Sequence, residues 1–552
     1  MYFSAAKSPF FASAQVIASL TLAFAILTTF ASAQTLTTIH NFISTSGDVT
    51  VPTAPGVAVQ GRDGNLYGTT GSGGAHGAGG VYVVSQAGAE SVLYSFPLSY
   101  TSCQAGLTLG SDGNFYGACS AGGTFGYGLL YKLTPAGTFT DLHEFNIATG
   151  DGGGPFTPPI QAQDGNFYGT TSRGGTNDTG TVYKMTPGGT VSILHSFTNT
   201  TGDGTSPLAL VQGKDGNLYG SSYSGGTGSH GVIFKISTKG KLTVIHSFVG
   251  TDGSAPVAAM IQATDGLFYG TTFQGGTSNN GVVFKMAAGG KYTLFHNFAE
   301  PTDGSYSYTA MVQATDGNFY GTTNKYLQLT DAIYKLTSKG VFSIVHQFDG
   351  TGSTLGTGLA NGLVQNTNGV FYGATNASIP GVSGNGTLYT LDIGAKPFAK
   401  LAATSGLVGD SIGIFGQGFD GSTVVKFDGV LASGVVHEGT AYITATIPAG
   451  ALTGAVTVTT GATTLTGSQP FLVLPKLNSF TPPQGPVGTS VILTGVSLAQ
   501  TNKVTFGGVA ASFTVNSDSQ ITATVPAGAK TGKIAVKTKG GSASSKTKFI
   551  VR

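Results

Sequence analysis

Tryptophan is absent from the 552-residue chain, cysteine occurs twice, and Asp, Glu, Lys and Arg together make up only 9 % of it. Each shortage removes a class of function. A formal net charge of +2 is far from the basic excess of a nucleic-acid binder. Only four glutamates occur (Glu90, Glu144, Glu300, Glu438), and no carboxylate pair outside the repeats suggests itself for glycoside hydrolysis. There is no nucleophile elbow, Walker loop, HExxH or zinc-ligand spacing. Beyond the first 30 residues no apolar run is long enough to span a membrane. These absences predict a chain with no catalytic residues, no metal and no cofactor.

What is abundant is glycine, 88 residues, with 34 Phe and 22 Tyr. Glycine at this level without a Gly-X-Y period points to many tight turns between short strands, and so many aromatics need a core. At the N-terminus Lys7 precedes an apolar run, Val16–Phe30, that ends in Ala31-Ser32-Ala33. That pattern predicts a secretory signal over residues 1–33, cleaved before Gln34, and a mature protein that is secreted or held at the cell surface. In an exported chain Cys103 and Cys119, the only two cysteines, are expected to form one disulfide around the turn at Asp112-Gly113.

One motif organises most of the chain. Asp63-Gly-Asn-Leu-Tyr-Gly returns at Asp112, Asp164, Asp215, Asp265 and Asp316, and in altered form at Asn368, with spacings of 49 to 52 residues. A period near 50 belongs to propeller blades. A repeat parses into four strands: Leu208 to Gln212, a turn at Asp215-Gly216, Asn217 to Ser221, a Gly225-Gly226 loop, Gly231 to Ile236, a Lys239-Gly240 turn, and Leu242 to Phe248. Asp-Gly between β-branched and aromatic runs is a strong hairpin signal. Seven repeats of four strands without helices predict a seven-bladed β-propeller over residues 34–395. Leu36-Thr-Thr-Ile-His-Asn-Phe42 matches a fourth strand, and the last repeat has no good fourth strand of its own. The segment 35–42 should therefore complete the seventh blade.

The Asp-Gly-Asn-Leu/Phe-Tyr-Gly-Thr-Thr runs, Ser-Gly-Gly-Thr loops and Val-Phe-Lys strands resemble the GloVer family of exported bacterial tandem repeats. The resemblance implies export and surface association, and no known reaction. After Lys396 a different pattern appears twice: Phe427-Asp-Gly-Val430 with Ile443-Thr-Ala-Thr-Ile-Pro-Ala-Gly450, then Phe506-Gly-Gly-Val509 with Ile521-Thr-Ala-Thr-Val-Pro-Ala-Gly528. Together with Ser479-Phe-Thr-Pro-Pro, it is similar to IPT/TIG immunoglobulin-like domains. Two such β-sandwiches are expected, over 396–474 and 475–552, acting as spacers or docking modules. From Pro475 onward eight Lys and Arg552 face one acid, Asp518. A contact with an anionic cell surface is one use of that charge; solubility is the plainer one.

Repeat positions absorb most chemistry-bearing residues. His40, His143, His195, His246, His296 and His346 share one place in the fourth strand, where Tyr94 stands in another repeat. Spread around a ring, they are not expected to converge on a metal. The aspartates of the Asp-Gly-Asn turns, and Asp48, Asp151, Asp203, Asp252, Asp303 and Asp349 of a second recurring turn, are expected to accept nearby hydrogen bonds. Binding is then expected from loops that break the repeat: Arg173, Asn177 and Asp178; His230; Lys325 and Tyr326. The seventh repeat also inserts Ile379-Pro-Gly-Val382. The resulting expectation is a monomeric, non-catalytic surface binding or adhesion protein whose propeller recognises a carbohydrate or a protein. A polysaccharide lyase or hydrolase and a passive structural surface protein are the alternatives.

Overall fold

The structure is a computed structural model that describes residues 34–42, 48–52, 58–85, 87–198, 202–299, 302–323, 331–348, 362–376 and 386–552. The expected signal segment, the Ile379–Val382 insertion, Asp349, Lys325 and Tyr326 lie outside the described residues. The protein is all-β. Its one helical turn among the described residues is a 3-10 turn at Ile147–Thr149, and no helix among those residues is long and apolar enough to cross a membrane.

Among the described residues the repeats form seven antiparallel sheets, six of four strands and the first of five, because Val49–Pro52 and Val59–Gln60 both pair with Leu66–Gly73; two immunoglobulin-like sandwiches follow. In the fourth sheet the strands are Thr205–Gln212, Leu218–Ser224, Val232–Ile236 and Leu242–Ser247, paired in that order. The Asp-Gly-Asn turn works as its residue types dictate. Gly216 takes φ +80, a region favourable only to glycine. Asp215 Oδ1 accepts from the Asn217 amide at 3.1 Å, and its Oδ2 accepts from the Tyr219 hydroxyl at 2.9 Å. The Tyr-to-Asp bond recurs from Tyr67 to Tyr320 at 2.7–2.9 Å. In the altered repeat Asn368 donates to Tyr372 instead. The glycine after each of these tyrosines is needed for packing: a Cβ on Gly68 would lie 2.2 Å from the Tyr82 hydroxyl of the third strand.

The core lies between sheets. Tyr219 and Ile233 of the fourth sheet pack with Phe268, Phe284 and Met286 of the fifth, and Tyr219 meets Phe268 at 4.1 Å between ring centroids. Tyr67–Phe115, Tyr116–Phe167 and Tyr269–Phe319 repeat that contact at 4.0–4.2 Å. Thr35–Asn41 pairs antiparallel with Thr387–Asp392, Leu36 opposite Leu391 and His40 opposite Leu388. The N-terminal strand thus supplies the outer edge of the last sheet. Phe42, Val49, Leu66, Tyr82, Tyr372 and Leu388 fill the space between that sheet and the first one.

A ladder of glutamines stitches neighbouring sheets. Gln161, Gln212, Gln262, Gln313 and Gln365 each accept from a backbone amide of the preceding sheet (Ser111, Gln163, Lys214, Thr264, Thr315) at 2.7–3.0 Å. Each also donates to the glycine carbonyl of its own turn. Cys103 and Cys119 form the expected disulfide.

The two sandwiches share a topology. In the first, Lys400–Leu401, Ser411–Phe415, Tyr442–Thr446 and Ser433–His437 form one sheet; in the second, Lys476–Thr481, Ser490–Val496, Gln520–Thr524 and Phe513–Ser517 do the same. Each closes over its own apolar core, around Ile414, Val425, Phe427 and Ile443 in one and Leu493, Val504, Phe506 and Ile521 in the other.

Candidate functional site

Within a four-stranded meander successive turns alternate ends, so the Asp-Gly-Asn and Lys-Gly turns share one face and the Gly-Gly loops lie on the other. The first sandwich occupies the Asp-Gly-Asn face. Arg62 pairs with Glu438 at 2.6 Å and lies 4.6 Å over the Tyr442 ring. The Phe398 amide donates to the Thr367 carbonyl at 2.9 Å, and the Thr367 hydroxyl to the Gly416 carbonyl at 3.2 Å. Between the two domains is a cavity of about 390 Å³ lined by Gln60, Arg62, Gln161, Lys400, Phe415 and Tyr442. Burial there pulls the Lys400 ammonium below its ordinary pKa.

The opposite face carries the crossover loops and the Gly-Gly loops, tied together by backbone bonds such as Gly175 N to the Asp151 carbonyl at 2.9 Å. Inside it, the first strands enclose an apolar cavity of about 160 Å³, lined in part by Leu107, Pro158, Leu210, Val257, Ala258 and Tyr308. Large aromatics stand exposed on this face: Phe156 at 49 %, Tyr223 at 46 % and Tyr308 at 39 % of their surface. Phe156 and Tyr308 occupy one repeat position, two residues past the positive-φ residues Gly154 and Tyr306; Leu208 and Val257 fill it in the sheets between. Phe273 packs against Tyr306 and Tyr308, ring centroids 4.8 and 4.5 Å away.

The loop residues that break the repeat are divided. Arg173 is exposed in a short pairing with Gly153. Asn177 and Asp178 build their own loop: Asn177 donates to the Thr198 carbonyl at 2.9 Å, and Asp178, at φ +52, accepts from the Gly174 amide at 2.7 Å. Asn279 repeats the Asp178 bond to Gly275 at 3.0 Å. His230 Nδ1 meets the Ser254 hydroxyl of the next crossover at 3.0 Å. The exposed Phe156, Tyr223 and Tyr308 were legible as departures from the repeat, but aromatic content read as core hides them.

A second arrangement lies on the outer edge of the ring. The fourth-strand histidines and the second recurring aspartates, two separate motifs in the sequence, form pairs through Nε2: His143–Asp151 at 2.8 Å, His195–Asp203 at 3.4 Å, His246–Asp252 at 3.0 Å and His296–Asp303 at 2.9 Å. The next sheet covers the histidine with the first residue of its fourth strand. Tyr292 stacks on His246 at 4.0 Å and 4°, and Phe342 on His296 at 4.4 Å and 2°. Burial lowers the His246 pKa, against the pull of Asp252.

The joint between the closing strand and the first sheet departs from this. Glu90, paired with Val84, holds the place that Leu36, Phe139, Val191, Leu242, Tyr292 and Phe342 hold elsewhere. Its carboxylate lies 3.7 Å from His40 Nε2, and Asp48 lies 3.8 Å from the same nitrogen. Burial, then the charge of Asp48, push Glu90 up to about 7; burial lowers His40. The repeat histidines do not converge on one another, but one of them meets two carboxylates, a grouping that the scarcity of glutamate concealed.

The second sandwich exposes all eight of its lysines and Arg552. Lys503 is directly opposite Lys537, and Lys533 opposite Lys548, across one sheet. Like charges so placed repel, and an anionic surface would relieve that repulsion.

No curated protein matches the chain in sequence. Among solved structures it is similar to the periplasmic gluconolactonase PpgL of Pseudomonas aeruginosa, at 17 % identity over 60 % of this chain and 96 % of that one, TM-score 0.39. It is similar to a fungal alcohol oxidase of the AA5 family, at 12 % identity over 91 % and 98 % of the two chains, TM-score 0.42. It is also similar to PorZ, a surface component of the type-IX secretion system of Porphyromonas gingivalis, at 16 % identity over 74 % and 58 %, TM-score 0.39. An IPT/TIG domain model matches residues 475–551. The Gloeobacter/Verrucomicrobia repeat model matches residues 25–163 and 154–389, and with the repeat spread over most of its length the chain belongs to that family.

Proposed function

We propose that this chain is an exported surface-binding protein in which a seven-bladed propeller, residues 34–395, takes carbohydrate at its Gly-Gly face. The sandwiches, residues 396–474 and 475–552, hold it from the opposite face. The observation that carries this reading is the set of exposed aromatics, Phe156, Tyr223 and Tyr308, on the face turned away from the first sandwich and next to an apolar cavity. Flat apolar ring faces with a polar edge suit the apolar faces of sugar rings, and a rigid scaffold limits the entropy lost on binding. Arg173, exposed on the same face, is a hydrogen-bond donor for hydroxyls or uronate groups. The basic second sandwich adds attraction to an anionic envelope.

A hydrolase has one observation in its favour, a histidine beside a glutamate. That pair sits between outermost strands, away from the cavity that the first strands enclose, so the binding reading is preferred. The test is a polysaccharide and glycan array probed with the full chain and with a Phe156→Ala/Tyr308→Ala variant. Binding that falls on the order of tenfold or more in the variant supports the reading, as loss of central aromatic anchors should. Absence of binding to any glycan, or binding indifferent to both aromatics, overturns it.

A further inference from the structure

We propose that His40, Asp48 and Glu90 form a binding site for a divalent first-row transition-metal ion, Zn²⁺ suiting the donors well, at the joint where the N-terminal strand closes the ring. The three side chains bring one imidazole nitrogen and two carboxylate oxygens within 4.8 Å of one another. A tetrahedral ion about 2.1 Å from each donor would set neighbouring ligands about 3.4 Å apart. The observed separations of 3.7 and 3.8 Å from His40 Nε2 are that arrangement slightly opened, and carboxylate rotation closes it.

Two features separate this joint from its equivalents. At four of the other joints among the described residues the histidine closes directly on its aspartate at 2.8–3.4 Å, which satisfies the imidazole without an ion. Here His40 Nε2 has no hydrogen-bond partner, and neither has Glu90 Oε1, although only 6 % of the Glu90 side chain is exposed. A buried carboxylate oxygen without a hydrogen bond is costly, and an apolar residue serves at this position in the other sheets. A cation accounts for both: two carboxylates and a neutral imidazole balance its charge. The mixed nitrogen and oxygen donors favour a first-row ion over calcium, which prefers oxygen alone, and over thiolate-seeking ions. Three protein ligands leave one position for water. Because His40 belongs to the N-terminal strand and Glu90 to the first sheet, the ion would clamp the closing strand in place.

The test uses the full chain without a polyhistidine tag, stripped with a chelator and titrated with Zn²⁺ by calorimetry near neutral pH. Co²⁺ serves as a second probe, through visible absorption of the bound ion. The expected result is one saturable ion per chain and a higher Tm with Zn²⁺, both lost in Glu90→Leu. That variant installs the residue found at Leu36 and Leu242, so its fold should persist, which circular dichroism checks. Failure of the unsubstituted chain to take up either ion saturably, or uptake and stabilisation unchanged in Glu90→Leu, overturns the proposal.

Discussion

The joint at His246 and the joint at His40 are built from the same repeat and solve the same packing problem differently. At the first, His246 is held by Asp252 and covered by the Tyr292 ring, whose hydroxyl donates to the Asp252 carbonyl at 2.5 Å. At the second, the covering ring is replaced by Glu90, and the histidine stands apart from both acids. The comparison shows that repetition can make a functional candidate visible. Six sheets define what packing alone requires, and the seventh shows what packing does not explain.

The largest expected effect that sharpens this contrast is Glu90→Leu in metal-free protein. Burial raises Glu90 from an ordinary 4.5 to about 7, so the folded protein holds this proton more tightly than the unfolded chain. The cost of the charged form is absent below pH 4.5 and grows as pH rises through 7, reaching about 3 kcal/mol at pH 8. Urea unfolding followed by tyrosine fluorescence should show the variant more stable by roughly that amount at pH 8, with the gain vanishing near pH 4. Saturating Zn²⁺ should reverse the order at neutral pH.

Tyr292→Ala should break the other side of the contrast, costing about 2 kcal/mol by the loss of a partly buried ring and its stack on His246, read as a lower urea midpoint. Tyr292→Glu is the sharper version. It recreates the three-group cluster at His246 and Asp252, and a second equivalent of Zn²⁺ in calorimetry is the expected outcome. The smallest effect belongs to His246 itself. Its pKa is lowered in the folded protein, so the unfolded chain takes the proton first as pH falls through 6.5. Stability should therefore decline as pH falls below that value and stay flat above it. His246→Gln should remove that slope.

Much of this molecule can be read from residues close together in the chain. Asp215, Gly216 and Tyr219 define a turn whose hydrogen bonds all lie within it, and the same letters every 50 residues or so predict the same meander each time. The closing strand Leu36–Phe42 was legible because it copies Leu242–Phe248. The glutamine ladder was present in the sequence too, as Val-Gln or Ile-Gln before all but the Asp112 turn, but its purpose depends on the neighbouring sheet. Asn177 and Asp178 hydrogen-bond within their own loop, a demand that a departure from consensus does not reveal.

The sequence by itself determined the hairpins of each repeat and the strand pattern of the two sandwiches, because turn residues and alternating apolar positions act over a few residues. Only the tertiary structure decided that Glu90 meets His40 and Asp48, that Arg62 reaches Glu438 to place a sandwich over one face, and that Phe156 and Tyr308 remain uncovered. Those outcomes depend on closing a ring and docking a separate domain, which bring together residues that no local pattern relates.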